Sequence, residues 1–227
     1  MKFENTEVFN FEGALRGMRN PLESWDKSDS GEELEEHFGY SINKYVIGKN
    51  DLELAQRLIK AGSEHRKFLR QIFISVDITA PLYWWKEFDT YKVGTVANST
   101  STMHKLTSIP ITKDCFEMDD FEKVEIDCLS QYVETTMDWW DYVITACEYL
   151  RQKYNETKDK RYWKELIRLL PESWLQKRTI TMNYENILNM VHQRRNHKLT
   201  EWSKSFIEWA KTLPYAEELI FVGGVDG

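Results

Sequence analysis

The sequence has 227 residues, of which 41% are hydrophobic and 14% aromatic, and this composition excludes a disordered chain. The formal net charge of -7 argues against a protein that coats nucleic acid, because phosphate neutralisation requires clustered lysine and arginine. The three cysteines form no CxxC pair, so neither a disulfide framework nor a metal site is expected. We expect one globular domain over residues 1–227.

No targeting or membrane segment is expected. The first residues, MKFENTEVFNFEGALRG, lack the basic-then-apolar order of a signal peptide. No apolar run approaches the roughly eighteen residues that a membrane-spanning helix requires. We therefore expect a cytoplasmic protein that binds neither membrane nor a nucleic acid polymer.

The first predicted elements alternate between helix and strand. The polar stretch 28–36 indicates a loop that leads into a helix. Apolar residues at helical spacing predict a helix over 51–61, with Asp51 as its cap and Gly62 as its stop. The alternating segment FLRQIFISVDIT predicts a strand that ends before Pro81, and a helix over LYWWKEFDTY follows.

The second half of the chain is predicted to be mostly helical. The small polar residues of 93–101 indicate a long loop or short strand, a place where ligands bind. A helical stripe over 119–154 predicts one long core helix or two abutting ones. The expected remaining elements are a helix, a strand and two further helices: 162–170, 178–182, 184–195 and a helix that ends near Pro214.

One segment of the sequence resembles a motif of a known protein family. Leu170-Pro171 is followed, twelve residues after the proline, by Asn183 and the row NYENILNMVHQR. This is similar to the C-terminal half of flavin-dependent thymidylate synthases, where an LP pair precedes N-x-R-S-L-x-(N/H)-F-x-x-L-R at this spacing. Glu64-His65 with Phe68 resembles the family's E-H-x-x-F. The resemblance covers roughly residues 62–202.

The sequence departs from the family in its middle segment. The family has R-Q-x-x-R-H-R and then N-E-x-S-x-R-Y, whereas this chain has KEFDTYKVGTVANSTSTMH. Lys86-Glu87 replaces the leading Arg-Gln, and Thr90-Tyr91-Lys92 replaces Arg-His-Arg. The family's Asn-Glu-x-Ser falls either on residues 97–100 or on residues 98–101. Glu185 stands where the family has arginine, and its carboxylate would repel an anionic nucleotide.

The resemblance implies a fold, ligands and site residues. The implied fold is the α+β fold of thymidylate synthase-complementing proteins, a central sheet with long flanking helices. The implied ligands are FAD, methylenetetrahydrofolate as one-carbon donor and dUMP as substrate, in a homotetramer. Arg194 is implied as the catalytic cation beside the uracil. The other residues carried over are those for FAD (Tyr91, Lys92, Asn98, Asn183 and Asn189) and those for dUMP (Glu87, Thr100, Ser101, Arg168 and Arg194).

Three functions remain open at this point. The row from Leu170 to Arg194 favours an enzyme that transfers a one-carbon group to dUMP. The loss of the Arg-His-Arg triplet favours a catalytically silent relative that binds a nucleotide or a protein. The third alternative is a helical interaction protein that binds no ligand.

Overall fold

The computed structural model describes residues 1–37, 40–119, 121–130 and 133–222. The chain forms two compact units, which we call unit 1 and unit 2. Unit 1 contains Met1–Lys2, Ile78–Thr90 and Asn98–Arg178. Unit 2 contains Phe3–Asp77, Tyr91–Ala97 and Thr179–Gly227.

A four-stranded sheet has the order β1-β4-β8-β5, in which the strands are β1 Lys2–Phe9, β4 Phe73–Pro81, β8 Leu175–Asn183 and β5 Val96–Ser99. In β4 the side chains of Ile74, Val76 and Ile78 are fully buried, while those between them are less so. This alternation confirms the strand predicted there. The strand begins later than predicted because residues 67–71 form a 3₁₀ turn.

Unit 2 contains five α-helices among its described residues and one two-stranded hairpin. Its labelled elements are α1 Phe11–Arg19, β2 Gly31–His37, β3 Tyr40–Val46, α2 Lys49–Lys60, α7 Tyr184–Arg194, α8 Ile207–Lys211 and α9 Ala216–Leu219, and a π-helical turn at Glu201–Phe206 precedes α8. The helix predicted over 184–195 is confirmed. The last predicted helix is present as the π-helical turn and α8.

The prediction for residues 28–36 was wrong. Instead of a loop into a helix, β2 pairs antiparallel with β3, with Glu33 opposite Lys44. Lys44 also lies 3.3 Å from a carboxylate oxygen of Glu35. The strand is therefore specified by its partner across the hairpin, and its acidic sequence alone gave no indication of this pairing.

Asp51 is not the cap of α2. The helix begins at Lys49, and the side chain of Asp29 accepts hydrogen bonds from the backbone N–H groups of Asn50 (2.9 Å) and Asp51 (3.2 Å). The Asp51 carboxylate points instead into a buried ion pair with Arg19, at 2.6 Å. The predicted stop is confirmed, since Gly62 follows the end of α2 with a positive φ of 110°.

The Arg19–Asp51 pair belongs to a closed polar cluster. Asp51 Oδ2 accepts hydrogen bonds from the hydroxyl groups of Ser28 at 2.6 Å and Ser30 at 2.5 Å. The Arg19 guanidinium also donates to the backbone oxygen of Ser24 at 3.1 Å and to that of Lys27 at 3.1 Å. Because both charged groups are surrounded by partners, the cluster fixes segment 24–30 to the start of α2.

Unit 1 is built around its longest helix. Its labelled elements are α3 Leu82–Phe88, α4 Thr102–Lys105, β6 Glu125–Ser130, β7 Val133–Thr135, α5 Thr136–Thr157 and α6 Lys160–Leu169. The buried core of this unit contains Leu106, Ile111, Phe116, Ile144, Cys147, Leu166 and Trp174. The helices predicted after Pro81 and before Pro171 are confirmed, each with slightly different ends.

The long helix begins later than predicted. The prediction was helix from residue 119, but β6 and β7 pair antiparallel before α5 starts at Thr136. Thr135 and Asp138 form a capping box, in which each side chain accepts a hydrogen bond from the backbone N–H of the other. This box fixes the helix start, and it was not recognised because apolar spacing runs through it.

The mixed α+β class is confirmed by these elements. Across the residues that the structure describes, no helix has both the length and the apolar character needed to cross a membrane. The same residues contain no group of three or more histidine, cysteine or carboxylate side chains that could hold a metal ion.

Candidate functional site

The start of α7 is fixed by two asparagines. Asn183 Oδ1 accepts a hydrogen bond from the backbone N–H of Asn186 at 3.0 Å. In return, Asn186 Oδ1 accepts one from the backbone N–H of Asn183 at 3.1 Å. This reciprocal capping box satisfies two N–H groups that a helix start leaves unpaired. Asn183 therefore has a rigid position at the junction of β8 and α7.

A short segment of unit 2, residues 91–97, lies against this helix start. Asn186 Nδ2 donates a hydrogen bond to the backbone oxygen of Val93 at 2.8 Å. Gly94 has a φ of 77°, and a Cβ atom added to it would lie 2.9 Å from Asn183 Nδ2. Both the left-handed backbone and this close approach require glycine. The segment is thus fitted to the capped end of α7.

A cleft of about 530 Å³ opens beside the capped end of α7. Its wall includes the backbone of Gly94, the side chains of Asn183 and Asn189, and the guanidinium of Arg70. Phe73 adds an aromatic surface that is 37% exposed and stacks on Phe9 with ring centroids 5.9 Å apart. The cleft therefore combines hydrogen-bond donors, a cation and a flat apolar ring, the mixture that small-molecule sites use.

The carboxylate of Glu185 is paired within unit 2. Arg66 Nε lies 3.2 Å and 3.0 Å from its two oxygens, and the residue is only 6% exposed. The charge that was expected to repel an anionic nucleotide is therefore opposed by a guanidinium at contact distance. Repulsion from this position is much weaker than the sequence indicates.

Arg66 also orients Asn189. Its Nη2 donates a hydrogen bond to Asn189 Oδ1 at 3.1 Å. Because a guanidinium can only donate, this contact requires the amide oxygen of Asn189 to face Arg66. The amide nitrogen is left as the polar group that Asn189 can present to the cleft. The Arg66–Glu185–Asn189 group thus adds one donor, the Asn189 amide nitrogen, to a wall that also includes the paired carboxylate of Glu185.

Arg194 lies near the other end of α7 and does not belong to the cleft wall. Its Nε donates to the hydroxyl oxygen of Tyr91 at 2.8 Å, and that hydroxyl donates to Gln193 Oε1 at 2.9 Å. The guanidinium carbon lies 5.5 Å from the ring centre of Tyr91 and 5.0 Å from that of Trp202. Two aromatic rings therefore hold this cation in a fixed orientation.

The pKa of His192 is lowered from its ordinary value. Burial disfavours the charged imidazolium first, and the nearby cations of Arg195 and Arg66 add to this effect. The imidazole is therefore neutral at pH 7. Positive charge on this helix is carried by arginines rather than by histidine.

Unit 2 brings together two sets of predicted residues. Asn183 and Asn189 line the cleft, while Tyr91 and Arg194 are in direct contact with each other. Lys92 is exposed on the segment between Tyr91 and the cleft residue Val93. The predicted residues of this unit are thus all on α7 or on the segment packed against it.

The remaining predicted residues lie in unit 1. Asn98 is exposed in β5, and the backbone of Thr100 donates to Lys177 at 2.9 Å. The Ser101 hydroxyl caps α4 by accepting from the His104 N–H at 3.2 Å. The other two are Glu87 on α3, whose backbone oxygen accepts from the hydroxyl of Thr90, and Arg168 on α6, which forms an ion pair with Glu165.

Arg66, Arg70, Phe73 and Gly94 were not predicted as site residues. Arg66 follows the Glu64-His65 pair directly, but its partner Glu185 lies 119 positions away. No spacing in the sequence reveals such a contact. Gly94 gave the one available signal, because a glycine inside a polar segment often marks a left-handed turn or a close approach.

Comparison with known proteins identifies the fold. No family model and no curated protein matches the sequence. A crystal structure of the flavin-dependent thymidylate synthase ThyX from Helicobacter pylori, complexed with FAD and dUMP, matches with a TM-score of 0.66. The match covers 97% of this chain and 98% of that chain at 17% sequence identity. This chain has the fold of flavin-dependent thymidylate synthases.

A further ThyX structure from Helicobacter pylori, also with FAD and dUMP, gives the same TM-score of 0.66 and the same 17% identity. It covers 97% of each chain. The predicted thymidylate synthase-complementing fold is therefore confirmed over nearly the full length. The identity is low enough that the likeness concerns the fold, and function has to be argued from the chain's own residues.

Proposed function

We propose that the chain is a diverged flavin-dependent thymidylate synthase-like enzyme that acts on dUMP with reduced FAD and methylenetetrahydrofolate. In this proposal residues 1–227 work as one domain, in a cytoplasmic homotetramer. The observation that carries the proposal is the donor-lined cleft at the capped end of α7, in a chain with this fold. Bound reduced flavin would supply the hydride, and the protein would supply position and charge.

The cleft suits the flavin better than it suits an apolar ligand. An isoalloxazine ring is flat and carries several carbonyl and nitrogen acceptors along one edge. Phe73 offers an exposed ring, and the Asn189 amide and Arg70 guanidinium offer donors. When donors of the cleft wall face acceptors at the edge of the ring, these buried polar groups are paired with each other. We assign Asn183 and Asn189 to the cofactor on this basis and on the resemblance, and Tyr91, Lys92 and Asn98 on the resemblance alone.

Arg194 is the proposed catalytic cation beside the uracil ring. A positive charge near the uracil carbonyls would stabilise the electron-rich, enolate-like form of the ring whose C5 attacks the one-carbon group. Tyr91 and Trp202 hold the guanidinium in place before substrate arrives, so little reorganisation is needed. The other residues proposed for dUMP, all in unit 1, are Glu87, Thr100, Ser101 and Arg168.

A catalytically inactive nucleotide- or protein-binding relative is the second candidate. Arg194 Nε is already bonded to Tyr91 at 2.8 Å. A cation held by the protein's own groups has less capacity for a substrate. In addition, Lys92 is the one cation where the family has an Arg-His-Arg triplet, and a lysine cannot form the bidentate contacts of arginine.

Flavin and nucleotide binding distinguish these candidates. Purified protein is soaked in FAD, excess flavin is removed, and the absorbance spectrum is recorded; dUMP binding is then followed by thermal shift. The enzyme proposal expects retained flavin, a rise in melting temperature with dUMP, and thymidylate formation that falls at least about 100-fold in Arg194→Ala. Retained nucleotide binding without turnover would support the inactive relative. The absence of both signals would contradict the enzyme and the nucleotide-binding relative and would leave only the fold.

Asn189→Asp tests the cleft itself. Aspartate keeps an oxygen for Arg66 but removes the amide N–H₂ and adds a negative charge near the cleft. We expect the melting temperature to stay close to that of the wild type while FAD affinity falls about tenfold or more, which corresponds to the loss of about 1.4 kcal/mol. Lys60→Ala, an exposed position at the end of α2, is the matched control. Unchanged FAD affinity in Asn189→Asp would move the flavin away from this cleft.

A further inference from the structure

The helix α5 has apolar side chains on two faces. One face enters the core of unit 1 through Ile144 and Cys147. The other carries three exposed aromatic side chains, with exposed fractions of 48% for Trp139, 65% for Tyr142 and 54% for Tyr149. Exposed aromatic surface of this extent on one helix marks an interaction site rather than a solvated face.

The three exposed aromatic residues and two partly exposed ones, Ala146 and Lys153, follow a regular spacing. Steps of three, four, three and four residues connect Trp139, Tyr142, Ala146, Tyr149 and Lys153, which we call the α5 aromatic stripe. This is the spacing of the seam along which two helices pair. Ala146 lies at its midpoint, where a small side chain lets two helix backbones approach closely.

The two ends of the stripe are chemically complementary. At one end, Trp139 and Tyr142 stack with ring centroids 6.2 Å apart. At the other end, Lys153 Nζ lies 5.8 Å from the ring centre of Tyr149. One end therefore offers aromatic faces and the other offers a cation with an aromatic ring. Reversing the direction of a second copy brings the cation to the aromatic faces.

The charges around α5 are also distributed unequally. Residues 134–145 include three carboxylates and no lysine or arginine, whereas residues 147–158 include three such cations and two carboxylates. A parallel second copy would oppose the three carboxylates to the same three. An antiparallel copy opposes them to the half with net positive charge and also opposes the helix dipoles favourably.

We propose that the α5 aromatic stripe is the docking surface for a second copy of this chain. The two α5 helices run antiparallel, with the two-fold axis passing at Ala146. Trp139 then lies opposite the partner subunit's Lys153, and Tyr142 lies opposite the partner subunit's Tyr149. Each of these contacts occurs twice, as two-fold symmetry requires. The proposal specifies which face of α5 forms one contact of the proposed homotetramer and that the two helices run in opposite directions. It does not depend on flavin binding.

Cross-linking of Ala146→Cys tests the axis. Two cysteines at a two-fold axis come within the Cα separation of about 4.4–6.8 Å that a disulfide needs. We expect mild oxidation to give a covalent dimer, with the 146–146 link identified by peptide mass spectrometry. The wild type, treated identically, controls for the native thiols. Absence of the link in an assembled protein would overturn the proposal.

Tyr142→Cys is the matched control for direction. It lies on the same stripe, but in the antiparallel pair its two copies are roughly 12 Å apart along the helix axis, from the rise of 1.5 Å per residue. We therefore expect no 142–142 link. Efficient linking at both 142 and 146 would show a parallel pair and would overturn the antiparallel arrangement.

The mass of the assembly gives an independent measurement. Tyr142→Arg combined with Tyr149→Arg places cations in the seam at positions that the single chain leaves exposed. We expect sedimentation velocity to show the mass of the assembly halved, with an unchanged circular dichroism spectrum at a temperature where both proteins are folded. Leu34→Arg, which is 71% exposed on β2, is the control and should keep the wild-type mass. A monomeric wild type, or an unchanged mass in the double variant, would overturn the proposal. Flavin retention, measured separately, tests the proposed function.

Discussion

Unit 2 contains two arginine–carboxylate pairs that differ in what surrounds them. Arg19 and Asp51 are 4% and 0% exposed, and their other polar atoms are bonded to serines and backbone oxygens. Arg66 and Glu185 have side chains that are 16% and 9% exposed, and Glu185 borders an open cleft. In the first pair the Asp51 carboxylate is fully enclosed, and only Arg19 borders a surface cavity. In the second pair the carboxylate itself borders the cleft from which a ligand can approach.

This difference separates a structural use of charge from a functional one. In the closed pair the carboxylate is fully desolvated, so its hydrogen-bond partners hold the chain together and its oxygens are not accessible to a ligand. A pair beside a cleft neutralises an unwanted charge and orients a neighbour, here Asn189. We therefore expect changes at the closed pair to affect stability, and changes at the open pair to affect ligand binding.

The largest expected effect is from Asp51→Ala. The substitution leaves the Arg19 guanidinium buried without its counterion, which costs about 3–5 kcal/mol of unfolding free energy. Urea denaturation measures this loss. Glu53→Ala, at an exposed position of the same helix, should change the free energy by less than about 0.5 kcal/mol. Similar effects of the two substitutions would contradict the comparison.

Strong acid should weaken the closed pair. Burial alone raises the pKa of Asp51, but the hydrogen bonds from Ser28, Ser30 and Arg19 outweigh it and hold that pKa below its ordinary value of 3.8. The carboxylate therefore contributes stability above the unfolded-state pKa, and this contribution is lost as the pH falls through the folded-state pKa. Below about pH 4, unfolding free energy should fall more steeply in the wild type than in Asp51→Asn.

At the open pair, Arg66→Met and Glu185→Gln should differ in FAD binding. Arg66→Met leaves the Glu185 carboxylate unpaired beside the cleft and frees the Asn189 amide to turn. We expect FAD affinity to fall about tenfold, and stability to fall by about 2 kcal/mol because the pair is partly exposed. Glu185→Gln removes the negative charge and should weaken FAD binding less. Fluorescence titration with FAD measures both; equal effects would mean that the charge plays no part.

Gly94→Ala should disturb the segment packed on α7. An alanine at a φ of 77° costs about 1–2 kcal/mol, and its Cβ would press on the side chain of Asn183 at 2.9 Å. Melting temperature and FAD affinity should both fall. Gly31→Ala is the control, because no atom lies within 4 Å of a Cβ added there. A neutral Gly94→Ala would show that the segment is free to move away from the helix.

The smallest effect is expected from the helix cap. Asn183→Ala removes the acceptor for the N–H of Asn186 and should cost about 1 kcal/mol of unfolding free energy. Asn183→Asp keeps an acceptor and should restore most of this stability. Chemical denaturation of the two variants checks the difference. If both lose the same stability, the cap bond contributes little and another contact of Asn183 is responsible.

The sequence predicted those parts of the fold that depend on local pattern. The alternation in β4 and the polar row that begins with Asn183 each lie within about a dozen residues, and both were located correctly. The hairpin of β2 and β3 was missed because the acidic residues of β2 give no sign of their partner strand. The start of α5 was misplaced because apolar spacing continues through the capping box.

For the site as well, local pattern could be predicted from the sequence and contacts between distant residues could not. Asn183 and Asn189 were predicted from the resemblance of one helical segment to the family, and both line the cleft. The Arg66–Glu185 contact joins residues 119 positions apart, and the sequence therefore suggested an unpaired carboxylate where the structure has an ion pair. Contacts between residues far apart in the sequence determine whether a charge beside the cleft is paired. Such contacts cannot be predicted from a single sequence.

The labelling rate of Cys147 reports local unfolding of unit 1. Its side chain is fully buried on α5, and burial raises the pKa of its thiol to about 11. The thiolate that alkylating reagents attack is therefore absent at neutral pH, and access is blocked as well. Labelling of Cys147 can proceed only when this core opens, so its rate, read by peptide mass spectrometry, reports how often unit 1 unfolds locally in the otherwise intact protein.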